Sequence, residues 1–171
     1  DGNTVSESEP AKFKARRGKG QGILHVRDNW TLVYDNGDPF RGVGINLCWE
    51  SRTNDDSKFF KNLHEQHDRF NYDVMLPDFA ENGGNFTRMW MCSWNFPIDR
   101  QGHFNNHRYE ETEEYMNPSA VERLDHVVNL CEDHDIKIML CMGQGNVRAH
   151  REFFNCDEAK TRYRNYLRYI V

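Results

Sequence analysis

Long apolar runs are absent from this sequence, and none approaches the roughly 18 residues that a membrane-spanning helix needs. Paired cysteines are also absent: the five cysteines form no CxxC motif, which excludes a zinc ribbon or a thioredoxin-like redox site. Excess positive charge is lacking as well, because the net charge is −5. We therefore expect a globular chain whose partners are neither membranes nor nucleic acids.

The first residues contain neither an initiating Met nor a charged-then-apolar signal segment, so we expect the chain to be a piece of a longer protein. Residues 1–21 are polar and lack periodicity, which indicates a linker or the tail of a preceding domain. Their basic run, Lys12 to Lys19, lies beside glycines and is interpreted as a solvated linker. Residues 22–171 are predicted to form one incomplete domain.

Two short β-rich segments, Ile23–Val26 and Thr31–Tyr34, open this domain. A turn with Asn36 and Gly37 at its centre follows them, so the pattern predicts a hairpin.

After the hairpin, strand and helix patterns alternate three times. The predicted strands are Gly42–Trp49, Asn85–Cys92 and Ile136–Met142. Helices are predicted near 57–67, near 72–82, from Pro118 and from about Asp157. This order predicts parallel strands with crossover helices, which both an open doubly wound sheet and a closed (β/α)₈ barrel provide.

Three details of the helices are predicted from their residues. Pro77 should begin or kink the second helix, and the run Asn82-Gly83-Gly84 should end it in a left-handed cap. Asn117 should cap the third helix, with Pro118 in its first turn. The apolar stripe of that third helix is predicted to contain Val121, Leu124, Val128 and Cys131.

The second strand carries the residues of greatest chemical interest. Because side chains alternate, Phe86, Arg88 and Trp90 share one face. An Arg beside a Trp near the carboxyl end of a parallel strand indicates a ligand site, because ligands bind at that end. An Arg on the outer face, in a salt bridge with a helix, is the alternative.

The first strand places Asn46 on the face that carries small or polar residues, and Trp49 and Glu50 follow at its carboxyl end. These residues are candidates for binding a polar ligand. A capping role for Asn46 and a packing role for Trp49 are equally compatible with the pattern.

Motifs for metals and dinucleotides are weak. His103 and His107 have the spacing of a zinc-binding helix but stand in a Gly/Asn/Phe loop without a carboxylate between them. Gly143 and Gly145 follow a strand, but Arg148 occupies the third glycine position of the dinucleotide fingerprint. Neither a metal nor a cofactor is expected.

Three segments resemble family 5-like glycoside hydrolases of clan A, the cellulase and mannanase type, in a bacterial group whose barrel follows a small β-sandwich. They are YDNGDPFRGVGIN at Tyr34–Asn46, FAENGGNFTRMWMCSW at Phe79–Trp94 and LDHVVNLCEDHDIKIMLC at Leu124–Cys141. The resemblance implies the first three βα units of a (β/α)₈ barrel. It also implies a retaining hydrolase that acts on a β-linked glycan during polysaccharide degradation, exported to the periplasm or outside the cell.

In that family the acid/base Glu ends strand four and the nucleophile ends strand seven. The resemblance therefore implies that both lie beyond Val171 and that this chain alone hydrolyses nothing. Arg88 matches the arginine that hydrogen-bonds the nucleophile. Trp49, Trp90 and Trp94 match positions where the family places aromatic residues near the cleft.

One loop departs from the family pattern. Many relatives carry a His just beyond strand three, where this chain has Gln144 and Asn146. Both can hydrogen-bond a sugar hydroxyl, but neither transfers protons near neutral pH. They are predicted to bind substrate at an undefined subsite. A non-catalytic carbohydrate-binding barrel is the alternative function.

Overall fold

Residues 20–28, 30–50, 70–102, 109–114, 116–142 and 155–170 are described by a computed structural model of the chain. The chain divides into two compact units, Asp1–Arg41 and Gly42–Val171. Their secondary structure is mixed α/β, as the sequence predicts. No helix within these ranges is long and apolar enough to cross a membrane. The helix predicted near 57–67 falls outside them.

The first unit contains the predicted hairpin. Strands β1 (Leu24–Arg27) and β2 (Thr31–Tyr34) pair antiparallel, with Leu24 opposite Tyr34. Gly37 has φ +89° in the turn after β2, a conformation that glycine adopts without strain. The Asp35 carboxylate accepts a hydrogen bond from the Ile23 amide at 2.8 Å and so fixes the residue before β1.

The second unit contains a parallel sheet of three strands in the order β3 (Gly44–Ile45), β4 (Phe86–Met91) and β5 (Lys137–Met142). Both pairings are parallel, which confirms the prediction from the alternating strand and helix patterns. Over the residues described, these strands do not close into a barrel. β3 is shorter than predicted, although the Trp90 amide still donates to the Cys48 carbonyl at 2.8 Å.

Three helices accompany this sheet: α1 (Tyr72–Glu81), α2 (Pro118–Asp133) and α3 (Asp157–Ile170). α2 begins as predicted, because the Asn117 side chain accepts a hydrogen bond from the Ala120 amide. α1 begins at Tyr72, so Pro77 lies inside it and does not start it. Gly83 follows α1 with φ +84°, which confirms the left-handed cap.

The core lies between the helices and one face of the sheet. It contains Tyr72 and Leu76 of α1, Met89 and Met91 of β4, Leu124, Val127 and Cys131 of α2, and Tyr166 of α3. The predicted stripe of α2 is wrong at one position, because Val127 is fully buried while Val128 is 41% exposed. The helix is rotated so that Ala120, Arg123 and Val127 face inward together.

A close steric contact joins β3 to β4. Gly44 is paired with Phe86, and a Cβ atom added to Gly44 would lie 2.8 Å from Cδ1 of the Phe86 ring. Real Cβ atoms do not approach other atoms so closely. Any side chain at position 44 would therefore displace the Phe86 ring.

The two neighbouring valines of α2 test the orientation of this helix. We expect Val127→Ala to lower the free energy of unfolding by about 2 kcal/mol, because it leaves a cavity in the core. Val128→Ala should change it by less than about 0.5 kcal/mol, because the side chain is largely in solvent. Both variants gain the same helix propensity, so urea unfolding compares them directly. The reverse order would mean that the predicted stripe faces the core.

Candidate functional site

Side chains along β4 alternate between a face that packs against the helices and the opposite face of the sheet. Thr87, Met89 and Met91 are buried toward the helices. Arg88 and Trp90 are half-buried and lie on the opposite face, as the sequence predicts. On that face the register places Met139 beside Arg88 and Cys141 beside Trp90. Met139 is 51% exposed, so this face is not covered at β5 by the residues described.

Three tryptophans meet at the carboxyl ends of β3 and β4. The ring centroids of Trp49 and Trp90 are 5.2 Å apart with the planes tilted by 52°. Those of Trp49 and Trp94 are 6.4 Å apart and nearly perpendicular. These are favourable geometries for aromatic pairs, so the three indoles form one cluster, which we name the tryptophan cluster. All three predicted aromatic site residues are thus brought together.

Arg88 extends the tryptophan cluster along β4. Its guanidinium lies over the Trp90 ring, with Cζ 5.4 Å from the ring centroid, which is within the range of a cation–π interaction. Its Nε atom is buried, and the described residues offer it no hydrogen-bond acceptor. Arg88 lies on the face of β4 opposite Met89 and Met91, which pack toward the helices.

Asn95 is a residue of this region that the sequence pattern did not reveal. It is fully buried, and its Nδ2 donates to the carbonyl oxygens of Trp90 at 2.8 Å and Cys48 at 3.5 Å, and to the Tyr72 hydroxyl at 3.3 Å. Its Oδ1 accepts a hydrogen bond from the Glu50 amide at 3.3 Å. One side chain thereby links the ends of β3 and β4.

Of the remaining predicted site residues, Asn46 and Glu50 are described and the others fall outside the described ranges. Asn46 is exposed on β3's extension. Glu50 is 3% exposed, and its carboxylate accepts a hydrogen bond from Arg123 Nε at 2.7 Å. The Glu50 carboxylate therefore forms a buried ion pair with Arg123 of α2. Gln144 and Asn146 lie outside the described residues, as do His103, His107, Gly143, Gly145 and Arg148.

Arg123 of α2 connects Glu50 to the surface. Besides Glu50, it donates from a terminal nitrogen to Asp73 Oδ2 at 2.7 Å, and its Cζ lies 3.9 Å from the centroid of the Phe70 ring. Asp73 also contacts the ring nitrogen of His126, which is half exposed. The sequence signal that could have identified Arg123 is its place among buried positions of an amphipathic helix, where an arginine requires partners.

The surroundings of Arg123 and Asp73 favour the charged form of both side chains. Burial lowers the pKa of Arg123, but hydrogen bonds with Glu50 and Asp73 outweigh burial and raise it above the ordinary value. Burial likewise raises the pKa of Asp73, and hydrogen bonds from Arg123 and His126 reverse that effect and hold it below 3.8. The ion pair between Arg123 and Asp73 therefore persists at neutral pH.

Near the tryptophan cluster, burial dominates and favours the neutral form of two side chains. It raises the pKa of the Cys92 thiol to about 11 and that of the Tyr72 hydroxyl well above its usual range. At neutral pH Cys92 is a poor nucleophile, and Tyr72 remains a donor to the Leu47 carbonyl at 2.8 Å. The tryptophan cluster thus offers aromatic surfaces beside a cation, with the Cys92 thiol and the Tyr72 hydroxyl both protonated nearby.

Comparison with protein-family models, with curated proteins and with solved structures gives no match to the chain. The site is therefore interpreted from its own geometry: a partly buried guanidinium beside three clustered indoles, at the carboxyl edge of a parallel sheet.

The carboxylate of Asp73 should make stability dependent on pH. Since its pKa is lowered in the folded state, its contribution is complete above the ordinary value of 3.8 and is lost as pH falls through the lower folded value. We expect Asp73→Asn to be less stable than the parent at pH 6, with a difference that shrinks steadily toward pH 2.5. Urea unfolding across this pH range measures it.

Asp157→Asn is the matched control, because Asp157 also pairs with a cation but its side chain is 98% exposed. It should follow the pH dependence of the parent. If Asp73→Asn did the same, the ion pair with Arg123 would not contribute to folding.

Proposed function

We propose that this chain is the N-terminal part of a retaining glycoside hydrolase that acts on a β-linked glycan through a (β/α)₈ barrel. The observation that carries the proposal is the position of Arg88: its Nε is buried beside Trp90 without an acceptor among the described residues. A carboxylate supplied by the rest of the barrel would satisfy this atom through a charge-assisted hydrogen bond.

The arrangement of the sheet is compatible with such a barrel. In a (β/α)₈ enzyme the helices cover the outside, and catalytic groups project at the carboxyl ends of the strands. Here the core lies on one side of β4 and β5, while Arg88 and the tryptophan cluster lie on the other side and at the carboxyl ends. The five further strands would come from sequence beyond Val171.

The proposed mechanism assigns a supporting role to this part of the enzyme. Retaining hydrolysis uses two carboxyl groups about 5 Å apart, one as nucleophile and one as acid/base, and needs no cofactor. Arg88 would keep the nucleophile ionised and oriented. Trp49 and Trp94 would pack against the apolar face of a pyranose ring while polar neighbours bind its hydroxyl groups. Export from the cell follows from the same proposal.

Arg88 provides the direct test of catalysis. In the complete enzyme, Arg88→Ala should lower turnover by about 100-fold, because a charge-assisted contact in a dry site is lost, while the thermal midpoint changes by only a few degrees. Arg88→Lys should recover part of the turnover, since it restores charge without the planar fork. Turnover on a soluble β-glucan, with thermal unfolding on the same samples, measures both quantities.

Arg164→Ala is the control, because Arg164 is an exposed arginine of α3. It should leave turnover unchanged. A large loss of stability in Arg88→Ala with normal turnover per folded molecule would show that Arg88 serves folding alone.

Sugar binding has a separate test. Soluble β-glucan or β-mannan oligosaccharides should change the tryptophan fluorescence of the complete protein, and Trp94→Ala should raise the dissociation constant about tenfold through loss of a stacking surface. Trp30→Ala is the control, because Trp30 is 91% exposed and lies in the other unit. Binding without hydrolysis, in a protein that lacks the two later glutamates, would instead identify a non-catalytic carbohydrate-binding barrel.

A further inference from the structure

We infer that Asn95 is the positioning residue of the tryptophan cluster: its buried amide sets the backbone beside all three indoles and so determines the shape of the surface that would receive a sugar. The sugar-binding part of this inference rests on the proposed function, whereas the effect on indole geometry does not.

The hydrogen bonds of Asn95 reach the backbone next to each tryptophan. Its Nδ2 donates to the carbonyl of Trp90 itself at 2.8 Å and approaches the carbonyl of Cys48 at 3.5 Å, while its Oδ1 accepts from the amide of Glu50 at 3.3 Å. Cys48 and Glu50 flank Trp49, so both sides of that residue are held. Trp94 directly precedes Asn95 in the chain.

The chain turns back toward the end of β4 at Asn95, whose backbone is hydrogen-bonded to Cys92. The Cys92 amide donates to the Asn95 carbonyl at 2.8 Å, and the Asn95 amide donates to the Cys92 carbonyl at 3.2 Å. Trp94 therefore lies in a tight reversal closed by Asn95. The next residue, Phe96, has φ +49°, a conformation that non-glycine residues rarely adopt.

Burial makes these hydrogen bonds decisive for the local geometry. Asn95 is 0% exposed, and a buried polar group that loses its hydrogen-bond partner is destabilising. The two hydrogens of Nδ2 are shared among three oxygens, including the hydroxyl of Tyr72. Without Asn95, the Trp90 carbonyl would lose this donor and the Glu50 amide would lose this acceptor, so we expect the backbone beside Trp49 and Trp90 to shift and the indoles to move with it.

Asn117 is a natural control for this role. It is also 0% exposed, and its Nδ2 donates to the carbonyls of Arg100 at 3.1 Å and Glu110 at 2.9 Å. Its Oδ1 accepts hydrogen bonds from Ser119 and Ala120. Asn117 thus has the same chemistry and burial but adjoins none of the clustered tryptophans.

The experiment compares Asn95→Ala with Asn117→Ala in the complete protein. Indoles 5.2 Å and 6.4 Å apart couple excitonically, so the far-ultraviolet circular dichroism couplet that disappears in Trp49→Phe reports the geometry of Trp49 relative to Trp90 and Trp94. We expect Asn95→Ala to lose at least about half of this couplet and to bind a β-glucan oligosaccharide about tenfold more weakly. Asn117→Ala should lose stability but retain both signals.

The outcomes separate the inference from the proposed function. A couplet lost in Asn95→Ala alone supports the positioning role, even if the parent protein binds no oligosaccharide, which would count against the proposed function only. A couplet retained in Asn95→Ala, or lost equally in both variants, would overturn the inference. Asn95→Ser, which keeps one donor, replaces the alanine variant if that does not fold. If neither folds while Asn117→Ala does, Asn95 serves the fold and not the cluster.

Discussion

The register of β4 between its two parallel neighbours is the constraint on which the rest of the second unit depends. Because side chains alternate along a strand, a slip of one residue would exchange the two faces. Thr87, Met89 and Met91 would leave the core, and Arg88 and Trp90 would be forced among the helices. The observed register instead places an arginine and an indole on the face of the sheet opposite the helices.

Two buried polar side chains hold the ends of the strands on opposite sides of this arrangement. Asn95 joins β3 to β4 through backbone groups. Glu50, immediately after Trp49, is tied to α2 by Arg123, and removal of one partner from a buried ion pair typically costs about 3–5 kcal/mol. The loop beside the tryptophan cluster is therefore fixed from two directions, which limits the freedom of the indoles.

Much of the fold could be predicted from local patterns. Alternation along β4, the Asn-Pro start of α2 and the glycine after α1 each depend on neighbouring residues, and the structure confirms them. The rotation of α2 could not be predicted by hydropathy, because Arg123 occupies a buried position that a hydrophobic pattern leaves to solvent. Its counter-charges come from Glu50, 73 positions earlier, and from Asp73 of α1.

The candidate site divides in the same way. The shared face of Arg88 and Trp90 could be predicted from alternation along β4, and the place of Trp49 from the end of the first strand, whereas Trp94 is indicated only by the family resemblance. The partners of Glu50 and the bonds of Asn95 depend on contacts between segments distant in sequence, and no spacing rule reveals such contacts. The sequence predicts that Glu50 binds a polar ligand, whereas its buried carboxylate accepts a hydrogen bond from Arg123.

The contact between Gly44 and Phe86 has a consequence for sequence change. The two positions share one volume, since the ring occupies the space in which a side chain at position 44 would begin. A substitution at either position alone should therefore be poorly tolerated, whereas a small residue at 86 would permit one at 44. In homologous chains these two positions should vary together. That covariation would indicate that β3 pairs with β4, which the hydropathy pattern alone does not indicate.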